Sequence, residues 1–188
     1  VWNLTEEERT GNRFANMNVL GDFCYISVGM VVNANEKDAQ GAFKKEDLIS
    51  DTYDAIHCRK YIEAKDIDKF QVKRVRYLEW NTERCPEKLR RPTFRELYDR
   101  PKLIMNCLGT INVTIDAEEH FLHNHSIYCA ILWKDLKDVS NKSISSSVKK
   151  FSKHSREAME SLSEKVDLYY LLGILNSSMA DQLLTDQR

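Results

Sequence analysis

Leu103-Ile104-Met105-Asn106-Cys107-Leu108, then Gly109-Thr110, then Ile111-Asn112-Val113-Thr114-Ile115 is the stretch that decides the fold. Two apolar arms flank a glycine-led turn and the second arm alternates strictly, which reads as a β-hairpin with strands at 103–108 and 111–115. Asp116-Ala117-Glu118-Glu119 turns the chain again. The apolar run from Ser126 to Trp133 then reads as a third, buried strand.

Upstream of the hairpin, Phe23–Val28 and Met30–Val32 flank Gly29 and read as one strand with a bulge or bend at the glycine. His57–Ile62 reads as a short strand, Lys65–Phe70 as a helical turn, and Val72–Trp80 as a strand carrying Lys73 and Arg74. Asn33–Gly41 and Asn81–Arg91 are polar enough for loops. Pro92 fits the first position of a short helix running to Tyr98. After Trp133 the character changes. Lys134–Ser147 is a polar connector, and Val148, Phe151, Ser155, Met159, Leu162 and Val166 recur at helical spacing, predicting a helix over 147–164. Asp167 is placed to cap a second helix over 168–176, and Ser178-Met179-Ala180-Asp181 resembles a capping box for a third. Strands first and helices last predict an α+β fold: an antiparallel or mixed sheet of short strands followed by helices. Residues 1–134 form its mainly β portion and 135–188 the helical portion of the same domain.

A length of 188 residues suits one domain, and 42% hydrophobic residues suffice for a core. No apolar run approaches the roughly 20 residues of a membrane span. The segment Val1-Trp2-Asn3, with Glu6–Glu8 close behind, lacks a signal-peptide pattern, and a chain that opens at Val1 reads as a piece of a longer protein. Five scattered cysteines fit reduced thiols and a cytoplasmic location. The N-x-Ser/Thr sequons at Asn3, Asn112, Asn124, Asn141 and Asn176 are then coincidental. Cys107 and Cys129 read as small core residues.

The net charge of -1 is unevenly placed. Residues 65–102 hold 12 basic and 7 acidic side chains, and residues 134–165 hold 8 and 5, against an acidic remainder. A solvated face is the plain explanation of such runs. A surface that follows phosphates is the functional one.

The catalytic motifs are few. No GxG occurs, so the chain has no dinucleotide fingerprint, no P-loop and no glycine-rich S-adenosylmethionine turn. The three isolated prolines exclude an Asn-Pro-Pro-aromatic methylation loop. Taken alone, the chain reads as lacking a catalytic site and a cofactor. Asp54 with Glu63-Ala64-Lys65 matches the Asp…Glu-x-Lys spacing of metal-dependent nucleases, a pattern common in any chain that is 30% charged. In His120-Phe121-Leu122-His123-Asn124-His125, alternation places His123 and His125 on one face. No further ligand stands at a standard spacing, so no metal is expected there.

Four segments in order carry a resemblance. Tyr61-Ile62-Glu63-Ala64-Lys65-Asp66-Ile67-Asp68-Lys69-Phe70 is similar to a "G-x-D-I-x-x-Y" stretch, and Arg100-Pro101-Lys102-Leu103-Ile104-Met105 to a "K-P-K-I-hydrophobic" strand. Asn124-His125-Ser126-Ile127-Tyr128 resembles an "N-x-S/T-x-Y" strand, and Tyr169-Tyr170-Leu171-Leu172-Gly173-Ile174-Leu175-Asn176-Ser177 a "Y-L-L-G-I-L-N-S" helix. Together they resemble the Taq-type carboxy-terminal specificity domain of adenine-N6 DNA methylases and fused type IIG restriction-methylation enzymes. Ala64 replaces a common glycine, Asn106-Cys107 replaces a common basic pair, and the 135–166 segment is longer than in the simplest members.

The resemblance implies a target-recognition domain of a restriction-modification system. It would hold double-stranded DNA opposite a catalytic methylase domain, of the same parent chain or a partner subunit, which binds S-adenosylmethionine. The implied DNA contacts are Lys69, Lys73, Arg74, Arg76, Arg90, Arg91, Arg95, Arg100, Lys102 and Asn106, with Lys and Arg on phosphates and a few polar side chains on base edges. The terminal helices read as core or as a docking face. Two other readings stand beside this one: a protein-interaction domain whose basic segments are only solvated, and a small metal-dependent nuclease.

Overall fold

Alternate residues of the strand Ile127–Leu132 enter two different cores. Ile127, Cys129 and Ile131 face the larger one, while Tyr128, Ala130 and Leu132 face a smaller one. A strand buried on both faces has no polar side to alternate with, which accounts for its unbroken apolar run. The computed structural model describes residues 17–106 and 109–185, and its fold is α+β.

After a one-turn helix, α1 (Leu20–Phe23), come β1 (Cys24–Val28), β2 (Val31–Ala34), β3 (Ile49–Ser50) and β4 (His57–Ile62). They are followed by β5 (Ile67–Asp68), β6 (Gln71–Val72), β7 (Arg76–Glu79), β8 (Leu89–Arg91), α2 (Glu96–Asp99), β9 (Lys102–Asn106), β10 (Val113–Asp116), β11 (Leu122–His123) and β12 (Ile127–Leu132). The chain ends in α3 (Lys142–Phe151), α4 (Arg156–Ser163), α5 (Leu168–Leu175) and α6 (Ser178–Thr185). One sheet has the order β1-β12-β9-β10, all antiparallel. A second has the order β11-β4-β7-β3 with β11 parallel to β4, and two small ribbons pair β2 with β8 and β5 with β6.

The first sheet lies between the large core and α5, whose Leu168, Leu171 and Leu172 pack on Leu103, Met105 and Val113. The hairpin is present, but its ladder is shorter than the alternation suggests. The Asn106 amide donates to the Thr110 carbonyl at 2.8 Å and accepts from the Asn112 N–H at 2.8 Å, closing the turn with a side chain. Cys107 and Leu108 lie outside the described residues. Cys129 is buried, as expected of a core residue.

Gly29 does not bend a single strand; it sends β1 and β2 to different sheets. A Cβ there would lie 2.1 Å from the His123 carbonyl oxygen and 2.4 Å from its Nδ1, so only glycine lets the backbones approach. Other expectations are corrected similarly. Lys65–Phe70 is not a helical turn throughout, because Ile67–Asp68 pair with Gln71–Val72 around Phe70 at φ 67. The Val72–Trp80 strand is broken where the Lys73 N–H turns to the Asp66 carbonyl. Pro92 does not open a helix, since Thr93 at φ 66 stands between it and α2. Leu89–Arg91, read as loop, forms β8.

The helix expected over 147–164 is two. Asn141 caps α3 by accepting from the Ser143 N–H at 2.7 Å, so the helix starts earlier. Ser152 bonds to both backbone groups of His154, and Ser155 caps α4 by accepting from Ala158. Short polar side chains that compete for backbone partners interrupt the helix there. Asp167 caps α5 as expected, with Tyr169 N–H at 2.7 Å. The cap of α6 is Ser177, one residue before the expected serine. No helix of the described residues is long and apolar enough to cross a membrane.

Candidate nucleic-acid interface

The ten basic and polar positions singled out above do not form one surface. Lys102 is fully enclosed: its ammonium lies 2.7 Å from Asp116 and donates to the Tyr98 carbonyl at 2.6 Å. Arg76 is buried as well, bonded to Glu63 at 2.9 Å and Asp66 at 2.6 Å, with its guanidinium over the Tyr61 ring. Neither side chain reaches a phosphate in this arrangement, which corrects both assignments. A basic residue can be held inside when a buried carboxylate lies beside it.

The others divide by location. Lys69 serves the end of α5, donating to the Asn176 carbonyl at 3.2 Å and pairing with Asp181 at 2.6 Å. A cation there also suits the negative end of the helix dipole. Asn106 closes the hairpin turn. Lys73 and Arg74 are exposed beside Asp68 at 3.7 Å and Asp51 at 2.5 Å. Arg100 is half-buried. Arg90, Arg91 and Arg95 are each exposed, the first two on β8 and the third on the connector after it. Arg90 lies 3.1 Å from Glu36, Arg91 donates to the Gly29 carbonyl at 2.9 Å, and Arg95 meets Asp99 at 2.6 Å. Much of the excess positive charge of residues 65–102 is therefore offset by carboxylates from elsewhere in the chain.

The β2–β8 ribbon is where accessible chemistry gathers. Val31 pairs with Arg91 and Ala34 with Leu89, so the register slips by one residue between them, and Asn33 is exposed in the resulting bulge. Beside it opens a groove of about 500 Å³. Val32 and Phe43, both buried, supply part of its apolar lining, and Asn33, Gln40, Lys44, Glu46, Asn124 and His125 its polar lining. Asn124 is itself fixed, its Oδ1 accepting from the Ser126 N–H and hydroxyl. Sequence reading missed Asn33, Gln40, Lys44 and His125 as a group, because three separate segments supply them. The bulged pairing of an unexpected strand was the signal needed.

The histidines do not converge. His123 is fully buried in β11, its ring edge-on to Tyr98 and beside the Asn124 backbone, whereas His120 and His125 are exposed. The expected common face of His123 and His125 is lost because β11 ends at His123. Burial, reinforced by the nearby Lys102, pushes the His123 pKa down to about 3. The nuclease-like residues separate too. Asp54 is exposed, accepts from the Ile56 and His57 N–H groups and touches His57 Nδ1 at 2.9 Å before β4. Glu63 lies beyond the far end of that six-residue strand, a run of more than about 15 Å at extended spacing. Burial alone would raise the Glu63 pKa, but Lys45, Arg76 and Lys65 outweigh it and hold the carboxyl at about 2. Glu63 is thus a structural anion among three cations.

A scan against models of known protein families finds no match, and a search of curated proteins finds none either.

Proposed function

We propose that this chain is a DNA target-recognition domain, the part of an adenine-N6 methylase or fused restriction-methylation enzyme that selects the sequence to be acted on. The observation that carries the reading is the bulged β2–β8 ribbon, with Arg90 and Arg91 exposed on it and Asn33, Gln40, Lys44 and His125 lining the groove alongside. A two-stranded ribbon fits the major groove of a duplex, where side-chain amides can pair bidentately with adenine and arginine with guanine. Arg95 and Lys44 are placed for phosphates, which set register without reading sequence. Base flipping, S-adenosylmethionine and methyl transfer belong to the catalytic domain of the parent chain or a partner subunit, in the cytoplasm.

The direct test is titration of labelled duplex DNA with the full 188-residue chain at low and moderate salt. Binding should weaken steeply with salt and be lost in R90E/R91E/R95E. Duplex binding undetectable at low salt, or unchanged in that variant, would overturn the reading.

One observation favours a protein-interaction role as well. Tyr169, Tyr170, Ile174 and Met179 of α5 and α6 are 64%, 66%, 45% and 70% exposed. In the recognition reading this face docks the catalytic domain. If duplex binding fails, the face becomes the leading clue to function.

A further inference from the structure

From Ser140 to Ser155 the chain contains no carboxylate, although it has 29 Asp and Glu in all. The segment forms α3 and the link to α4, and it carries Lys142, Lys149, Lys150 and Lys153 among seven serines. Ile144 and Val148 turn inward to the large core. At 100° per residue, Lys142, Ser145, Ser146, Lys149 and Lys150 share the opposite face, and all five are exposed. No carboxylate among the described residues pairs with any of the four lysines, in contrast to Arg74, Arg90 and Arg95. Lys150 instead rests 4.9 Å from the Phe151 ring centre.

The helix that carries this face is tied to the connector beside the proposed interface. The Tyr25 hydroxyl meets Ser143 Oγ at 3.1 Å in the first turn of α3, and the same Tyr25 ring packs 6.0 Å from Phe94, next to Arg95. One aromatic side chain thus joins the start of α3 to the connector that leaves the ribbon. Lys142 to Lys150 spans eight residues, about 12 Å of helix rise, enough to meet two or three successive phosphates of one strand.

We infer that the exposed lysine and serine face of α3 is a second, sequence-independent contact with the DNA phosphate backbone, flanking the ribbon that reads bases. The inference rests on the recognition reading. Ammonium groups with no carboxylate beside them are donors that phosphates can use, and a duplex held at the ribbon brings phosphates past this helix. Lys142, Lys149 and Lys150 contact phosphates; Lys153 extends the track beyond the helix end.

The test compares the full chain with K142Q/K149Q/K150Q on two labelled duplexes of unrelated sequence across a salt series. Affinity for both duplexes should fall together by about tenfold or more at low salt, and the slope of log K against log salt should shallow by about 2 to 3. K142Q alone should shallow it by about 1. An unchanged thermal midpoint shows that these exposed positions left the fold intact. If the unaltered chain binds duplex and the triple variant matches it in affinity and slope, the face is only solvated and the inference fails while the recognition reading stands. If the triple variant loses retention on immobilised polyglutamate while keeping full duplex binding, the face serves an acidic protein and the inference is overturned. If the unaltered chain binds no duplex at low salt, the recognition reading fails and this inference with it.

Discussion

The side-chain amide of Asn176 pairs with Val113 through both of its ends: its Oδ1 accepts from the Val113 N–H at 3.0 Å, and its Nδ2 donates to the Val113 carbonyl at 2.8 Å. The C-cap of α5 therefore takes the place of a neighbouring strand at the edge of β10. The Asn-Ser ending of the α5 motif has a structural meaning here. It ties the terminal helices to the sheet and shares the β10 edge with the Phe70 N–H, which bonds the Val113 carbonyl at 2.9 Å.

Asn176→Ala removes the partner of the buried Val113 N–H and one of two donors to its carbonyl, which keeps the Phe70 N–H at 2.9 Å, and should cost about 1–3 kcal/mol. Asn176→Asp should cost at least as much, because a carboxylate cannot donate to the Val113 carbonyl and repels it. Urea unfolding of the two variants measures this. A loss under about 0.5 kcal/mol in both, the size expected at an unremarkable surface site, would show that the pairing is dispensable.

The enclosed Lys102–Asp116 pair gives a prediction that separates stability from binding. Lys102→Met strands Asp116 without its cation and should destabilise by about 3–5 kcal/mol. Asp116 keeps the His120 and Phe121 N–H groups, at 3.0 and 2.8 Å, which places the loss nearer the lower figure. Because the lysine is inside, the salt slope of duplex binding, read where the variant is folded, should not change. A slope reduced by about 1 would return Lys102 to the DNA surface.

The buried neutral imidazole of His123 makes stability depend on pH in a defined window. Its folded pKa, about 3, lies below the ordinary histidine value of 6.5, so the unfolded chain binds the proton more readily. Its contribution is present in full above pH 6.5 and declines as pH falls toward 3. Glu63, held at about 2 by its cations, adds acid sensitivity only below the usual carboxylate range near 4.5. Between pH 6.5 and 4.5 the imidazole should therefore account for much of the slope, up to about 1.4 kcal/mol per pH unit. Unfolding free energies across that range should flatten in His123→Gln. An equally steep limb in the variant would rule the imidazole out as its source.

What the sequence made legible follows a physical line. Strands such as β9 and β12, whose side chains meet a core directly, announce themselves by apolar runs, and Asp167 announces a helix start by the chemistry of its cap. Elements held by partners distant in sequence were silent. β8 is a run of Leu89-Arg90-Arg91 that becomes a strand only because β2 lies beside it. The inward turn of Arg76 and Lys102 depends on Glu63, Asp66 and Asp116, and nothing local to either cation marks it as buried. Counting charge along the chain located a basic segment but could not say which charges have partners in space.

That distinction between paired, buried and accessible groups underlies the last prediction. Asn33 stands in the bulge of β2, and Gln40 lines the same groove from the following loop. If these amides read base edges, Asn33→Ala and Gln40→Ala should each relax the preference at one base pair by about 1–3 kcal/mol and leave the salt slope unchanged. Arg95→Gln, at an 85% exposed side chain, should instead weaken all duplexes evenly and shallow the slope by about 1. Selection of bound duplexes from a randomised pool by the full chain, repeated with each variant, compares the preferences position by position. A relaxed position specific to Asn33→Ala or Gln40→Ala assigns that amide to a base. Preferences untouched by both, beside a normal effect of Arg95→Gln, would move base reading off the groove and leave the ribbon only a phosphate contact.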